Sequence, residues 1–220
     1  LGQVTRRHLG LHLVRNAAHF TGQNLWFFAV ATIPFAQVFA LEFTTPIWAM
    51  LLAVPLLGEG LTKRGLTAAA IGFAGILLVA RPWAEPLSPG LITAALSAVG
   101  FGLTAVFTRR LTRTETITCI LVYLTTMQAL LGLICAGYDG DIALPDATTL
   151  PWLVLIGCAG LLAHFCLTTA LSLAPAALVM PVDFLRLPVI VLIGAVWYDE
   201  EPGLWLAIGA AFILAANALN

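Results

Sequence analysis

A chain of 220 residues, 60% hydrophobic and only 10% Asp, Glu, Lys or Arg, with a mean hydropathy of +0.99, carries less than half the charge density of a soluble domain. It cannot clothe a water-facing surface, which excludes a soluble catalytic domain and implies a polytopic membrane protein. A net charge of −1 without a basic patch gives no ground for a nucleic-acid partner.

The polar segment LGQVTRRHLGLHLVRN opens the chain and lacks the short apolar core and cleavage site of a signal peptide. It is read as a flank of the first span, and the natural protein is expected to begin earlier. Eight apolar stretches follow, at about 17–33, 36–57, 65–81, 88–108, 116–137, 150–171, 175–197 and 203–219, most near the ~20 residues that cross a bilayer as helix. None alternates like a barrel strand, so an all-α, polytopic helical membrane protein is expected. Connections are short: turns at Pro34 and Pro175, GEGLTKRG at 58–65 and DEEPG at 199–203. Only the loop from Cys135 to Pro151 is longer.

Numbering sides alternately puts Arg6, Arg7, Arg15, Lys63, Arg64, Arg109, Arg110 and Arg113 on the side of the N-terminal segment and Arg81 alone on the other. Positive charge is retained inside, so that first side is cytoplasmic and both ends of the chain face the cytoplasm. Compared with itself at an offset of 141, the chain aligns Pro34 with Pro175, Glu42 with Asp183, Phe43 with Phe184 and Glu59 with Glu200. The matched units cross in opposite senses, an inverted repeat of the kind secondary transporters use for alternating access. Three spans precede Pro82 and five follow it. Equivalent five-helix units therefore imply a ten-helix protein of which eight helices are present, with residues 1–82 as the last three helices of the first unit and 83–220 as the whole second unit.

The stretches ALEFTTPIWAMLLAVPLLGEGLTKRG and AAAIGFAGILLV, the segment SLAPAALVMPVDFLRLPVIVLIGAVWYDE and the closing WLAIGAAFILAAN resemble the EamA-type transporters of the drug/metabolite transporter superfamily over essentially the whole length. One departure is Asp199, standing where that family usually has the glycine that Gly58 supplies before Glu59. The resemblance implies a multi-pass inner (plasma) membrane carrier with a central cavity between its halves.

In PVDFLRLP, Asp183 and Arg186 stand near mid-span on one helical face, where hydrocarbon does not tolerate an unpaired charge. They form either a neutralised structural pair or part of the translocation path, with Arg186 attracting a carboxylate or phosphate. Pro181 and Pro188 bracket them and free backbone carbonyls there. Glu42, the repeat mate of Asp183, is a satisfied carboxylate or a binding and protonation site. Thr45, Gln37 and Gln128 supply neutral hydrogen bonds, Trp26, Trp48 and Phe27 aromatic walls, and His164 a core or cavity imidazole with a protonation role second. Trp83, Trp152, Trp197, Tyr198 and Trp205 read as interfacial anchors, and Glu59 and Glu200 as structural carboxylates bonding the N–H groups that begin the next helix.

Cys119, Cys135, Cys158 and Cys166 read as buried small hydrophobes, with no metal or cofactor motif. No enzyme signature is present. The expected activity is secondary transport of a small polar metabolite, amino-acid-like or anionic or zwitterionic, with membrane lipids around it and protons as an option. The alternative is a non-transporting assembly or lipid-handling scaffold, which would seal Asp183, Arg186 and Glu42 in dry packing.

Overall fold

A computed structural model describes residues 4–81, 83–84, 88–142, 144–180, 182, 186–197 and 204–219. All regular structure in them is helical: α1 (Leu9–Thr32), α2 (Phe35–Glu42), α3 (Thr45–Leu57), α4 (Lys63–Ala80), α5 (Pro89–Leu111), α6 (Ile117–Ala136), α7 (Leu150–Leu173), α8 (Ala176–Val179), α9 (Arg186–Trp197) and α10 (Leu204–Leu219).

Local chemistry sets several of these boundaries. Thr62, Ser88 and Thr116 each accept a hydrogen bond from the backbone N–H three residues on, at 3.0–3.2 Å, the N-cap arrangement that starts α4, α5 and α6. Gly58, at φ 67, ends α3 in the left-handed conformation that a side chain resists. Pro34 and Pro175 begin α2 and α8 with nearly the same backbone, φ −55 ψ 145 and φ −58 ψ 148.

The offset of 141 recurs in the element starts. Leu9 and Phe35 open α1 and α2, and Leu150 and Ala176 open α7 and α8.

The first expected span begins too late. Helix α1 starts at Leu9 and takes in most of the polar flank, because the flank is amphipathic with its polar face inward: His12, Arg15, Asn16 and Gly22 are buried, whereas Leu9, Leu13 and Val14 are exposed. In hydrocarbon that inversion of the usual pattern is the favourable one. Arg15, counted above with the cytoplasmic cations, is 1% exposed and is an interior residue.

Of the eight continuous spans expected, three helices among the described residues are long and apolar enough to cross a membrane: Pro89–Leu111, Ile117–Ala136 and Leu150–Leu173. Two of the others fall short for physical reasons: the stretch 36–57 breaks after Glu42 into α2 and α3, and α1 carries its polar stripe.

The centre is packed around α5. Gly22 and Gly100 let α1 and α5 approach, so that a Cβ on Gly100 would lie 3.0 Å from the Gly22 Cα. Ala49, Ala53, Ala105, Val106, Leu171 and Met180 pack α3, α5, α7 and the α8 region together. Small residues at such contacts are how membrane helices gain dispersion energy without a hydrophobic drive. Helix α7 turns a long apolar face outward, including Trp152, Leu155, Ile156 and Leu162. Trp83, Trp197 and Trp205 are exposed as expected of anchors, and Tyr198 lies outside the described residues. Of the cysteines only Cys119 is buried; Cys135, Cys158 and Cys166 are exposed, contrary to the expectation, because α6 and α7 face outward.

Candidate functional site

Helix α2 ends at Glu42 and α9 begins at Arg186, and these two residues form an ion pair across the bundle. The guanidinium also lies 5.1 Å over the Phe43 ring, and Trp26 Nε1 donates to the other Glu42 oxygen at 2.7 Å. A helix end leaves backbone groups without partners, carbonyls at the C-terminus and N–H groups at the N-terminus. Glu42 therefore stands at the unfavourable pole of its own helix, and Arg186 meets that same C-terminus, the pole that favours a cation. The break between α2 and α3 makes this possible, since an unbroken helix would offer no pole at that depth.

Beside the pair lies a cavity of about 870 Å³, within the ~300–1,000 Å³ of small-molecule sites. Glu42, Thr45 and Arg186 line one part of it and His19, Phe101 and His164 another. The ring centroids of His19 and His164 are 4.7 Å apart, edge to face, and His19 lies 5.8 Å from Phe101. Thr104 on α5 and Met180 close the wall. Thr45 Oγ1 and His19 Nδ1 are buried with no hydrogen-bond partner among the described residues, so a ligand with donors and acceptors would find groups still unsatisfied by the fold.

Four of the residues singled out from sequence, Glu42, Thr45, His164 and Arg186, thus meet at one cavity. Asp183, with Pro181, lies outside the described residues. Gln128 is elsewhere, donating to Asn16 O and Oδ1 at 3.0 and 3.2 Å. Gln37 on α2 and Trp48 on α3 are not among the cavity residues; Trp48 packs against Gly102 of α5. Of the proposed aromatic walls, Phe27 faces outward and Trp26 acts through Glu42. Arg186, expected to attract a negatively charged solute, is paired here with a carboxylate of the chain itself.

Sequence reading missed His19, Phe101 and Thr104, and the polar layer below them. Arg15 donates from Nε to Thr108 Oγ1 and from Nη1 to Asn16 Oδ1, each at 3.1 Å. The signal was available in the spacing: His8, His12, Arg15 or Asn16, and His19 recur every three to four residues and so share one face of α1.

At the end where α1 begins, Glu59 ties several helix ends together. Its Oε1 lies 3.2 Å from Arg109 Nε and 3.5 Å from Arg113 Nη2, and its Oε2 accepts from the Ala176 N–H at 3.2 Å. Arg109 Nη1 in turn donates to Leu171 O at 2.6 Å. Glu59 does bond a helix-opening N–H, but that of α8 rather than of the next helix, because Gly58 turns the chain back over the bundle end. Glu200 lies outside the described residues.

Comparison with known proteins matches residues 5–81 and 88–220 to the EamA-like transporter family. A riboflavin transporter of Rhizobium johnstonii is 35% identical over 94% of this chain and 68% of its own length, and one of Brucella anthropi 33% identical over 96% and 75%. A crystal structure, 21% identical, superposes with a TM-score of 0.76 over 97% of this chain and 76% of that one, which establishes a common fold.

Proposed function

The chain belongs to the EamA-like transporter family, which makes it a membrane transporter of small molecules rather than an enzyme, and on that premise we propose that it carries a flat, uncharged heteroaromatic metabolite by alternating access. Riboflavin is the first solute to test, since two similar proteins are riboflavin transporters. The observation that carries the reading is the cavity itself, lined by aromatic rings and by an acid–base pair. Rings stack on rings, while the edge of a flavin-like heterocycle offers both acceptors and donors to Arg186, Glu42 and Thr45. An amino-acid-like or zwitterionic solute would instead need to split the Glu42–Arg186 pair. The scaffold alternative is disfavoured because Glu42 and Arg186 border a cavity.

The chain divides near residue 82 into the end of one five-helix unit and a complete second unit, related by inversion. The common offset of the element starts supports this, and so does α7. Its repeat mate α1 packs along α5, whereas α7 is bare over its most apolar stretch, as a helix would be if two further helices completed a ten-helix protein. The transporter is placed in the inner membrane with both ends of this chain cytoplasmic, and protons are a candidate coupling ion.

Uptake by the whole protein in proteoliposomes tests the function, with riboflavin set against amino acids, nucleosides and organic anions, with and without a pH gradient. Glu42→Gln and Arg186→Gln are each expected to lower riboflavin uptake by about tenfold or more, the effect of losing a charge-assisted hydrogen bond. Uptake that survives both substitutions would remove the pair from the mechanism, and uptake confined to amino acids or organic anions would overturn the solute class.

A further inference from the structure

At the end of the bundle where α1 begins, His12 on α1, Glu115 in the α5–α6 turn and Cys119 on α6 bring an imidazole nitrogen, a carboxylate oxygen and a sulfur within 4.8 Å of one another. His12 and Cys119 are fully buried and Glu115 is 8% exposed. The surrounding protein leaves two of them unsatisfied. Both His12 ring nitrogens and Glu115 Oε1 are buried with no hydrogen-bond partner among the described residues, an arrangement that folded proteins otherwise avoid.

Their outer contacts, by contrast, are made. Thr5 Oγ1 donates to Glu115 Oε2 at 2.7 Å and Thr5 N to Cys119 Sγ at 3.5 Å. Tyr123 donates to Thr5 O at 2.9 Å, and its ring lies 4.3 Å from the His12 ring. Glu115 and Cys119 are thus held on one side by Thr5, which is how supporting contacts orient metal ligands, and His12 is placed by ring packing on Tyr123.

We propose that His12, Glu115 and Cys119 form a site for a divalent transition ion of borderline softness, zinc foremost, with water in the fourth position. Nitrogen, oxygen and sulfur ligands at bond lengths of ~2.0–2.3 Å stand roughly 3.3–3.8 Å apart in a tetrahedron, so side-chain rotations of about 1 Å close the set. The thiolate disfavours magnesium and calcium, which take oxygen ligands. Coordination releases the Cys119 thiol proton to solvent, engages His12 as the neutral imidazole, and leaves the +2 ion balanced by one thiolate and one carboxylate. The bound ion would pin α1 to α6, two helices that meet through few other polar contacts at this end.

The test uses the whole protein in detergent, stripped with chelator and titrated with Co²⁺. One equivalent is expected to bind and to give a thiolate-to-cobalt charge-transfer band in the near ultraviolet, which Zn²⁺ abolishes by displacement and Mg²⁺ does not. Cys119→Ser is expected to remove the band, Cys158→Ser to keep it, and His12→Ala to weaken binding by at least about tenfold, a loss that even an outer partner of a metal site can cause. Wild-type protein that takes up no cobalt overturns the site without reference to any variant, as does a band that persists in Cys119→Ser.

Discussion

Arg15 is among the largest fully buried side chains of the protein, and its hydrogen bonds go to neutral partners, Thr108 and Asn16; among the described residues no carboxylate pairs with it. Burying a charge on hydrogen bonds alone is expensive, and a well-packed apolar residue in its place is often neutral or more stable by about 1–4 kcal/mol. Arg15→Met is therefore expected to leave the thermal midpoint of the purified protein unchanged or raised. Transport is expected to fall, because the charge stands one helical turn from His19 at the cavity. A variant that loses stability while keeping its transport rate would make Arg15 structural. At this scale the sequence was legible where a polar residue interrupts an apolar run, as at Glu42 and Arg186. It was misread where polar residues crowd together near the N-terminus, because density of polar groups was taken for exposure when the spacing of His12, Arg15 and His19 marked a face.

Helix ends decide more here than helix interiors. The expected stretch 36–57 was correct in extent and wrong in continuity: hydropathy reports what a residue prefers to touch and is silent about which way its peptide dipole points. The prolines at 34 and 175 were the readable part, and they fix the same backbone in both places. Close crossings are equally invisible to hydropathy. A Cβ on Gly102 would lie 2.9 Å from the Trp48 Cβ and 3.0 Å from the Ala49 backbone nitrogen, so Gly102→Val is expected to push α3 from α5 and cost about 1–3 kcal/mol in a denaturant titration.

Before α7, Asp146 Oδ1 accepts from the N–H and hydroxyl of both Thr148 and Thr149 at 2.7–3.0 Å. These bonds, from Thr148 first, bring its pKa from 3.8 down to about 2. A depressed acid contributes stability that is fully present above its unfolded value of 3.8 and is lost as pH falls through about 2. Amide protection factors at Thr148 and Thr149 are expected to hold above pH 3.8 and decline below it. In Asp146→Ala they should be low at every pH.

Over the whole molecule, the Glu59 contacts fasten one end by linking α3, α5, α7 and α8; the proposed inverted repeat would supply two similar packings. Glu59→Gln weakens both arginine contacts while nearly preserving shape. It is expected to raise the labelling rate of a reporter cysteine placed at Ser172 by about five- to tenfold, the lower range of coupling between conformational states. An unchanged rate would mean that this end is held by packing alone. The molecule's membrane class, its offset of 141 and its family resemblance were all legible in the sequence, because composition and repetition act over many residues. The contacts between His12 and Cys119, or Glu59 and Ala176, were not, because they join residues more than a hundred positions apart. The bond from Trp26 to Glu42 also makes the protein its own optical probe. Trp83, Trp152, Trp197 and Trp205 look outward, whereas the Trp26 indole is wired to the carboxylate beside the cavity. Any solute that loosens that carboxylate from Arg186 should shift or quench Trp26 emission, a response that Trp26→Phe would abolish, so occupancy can be followed by light without a radiolabelled substrate.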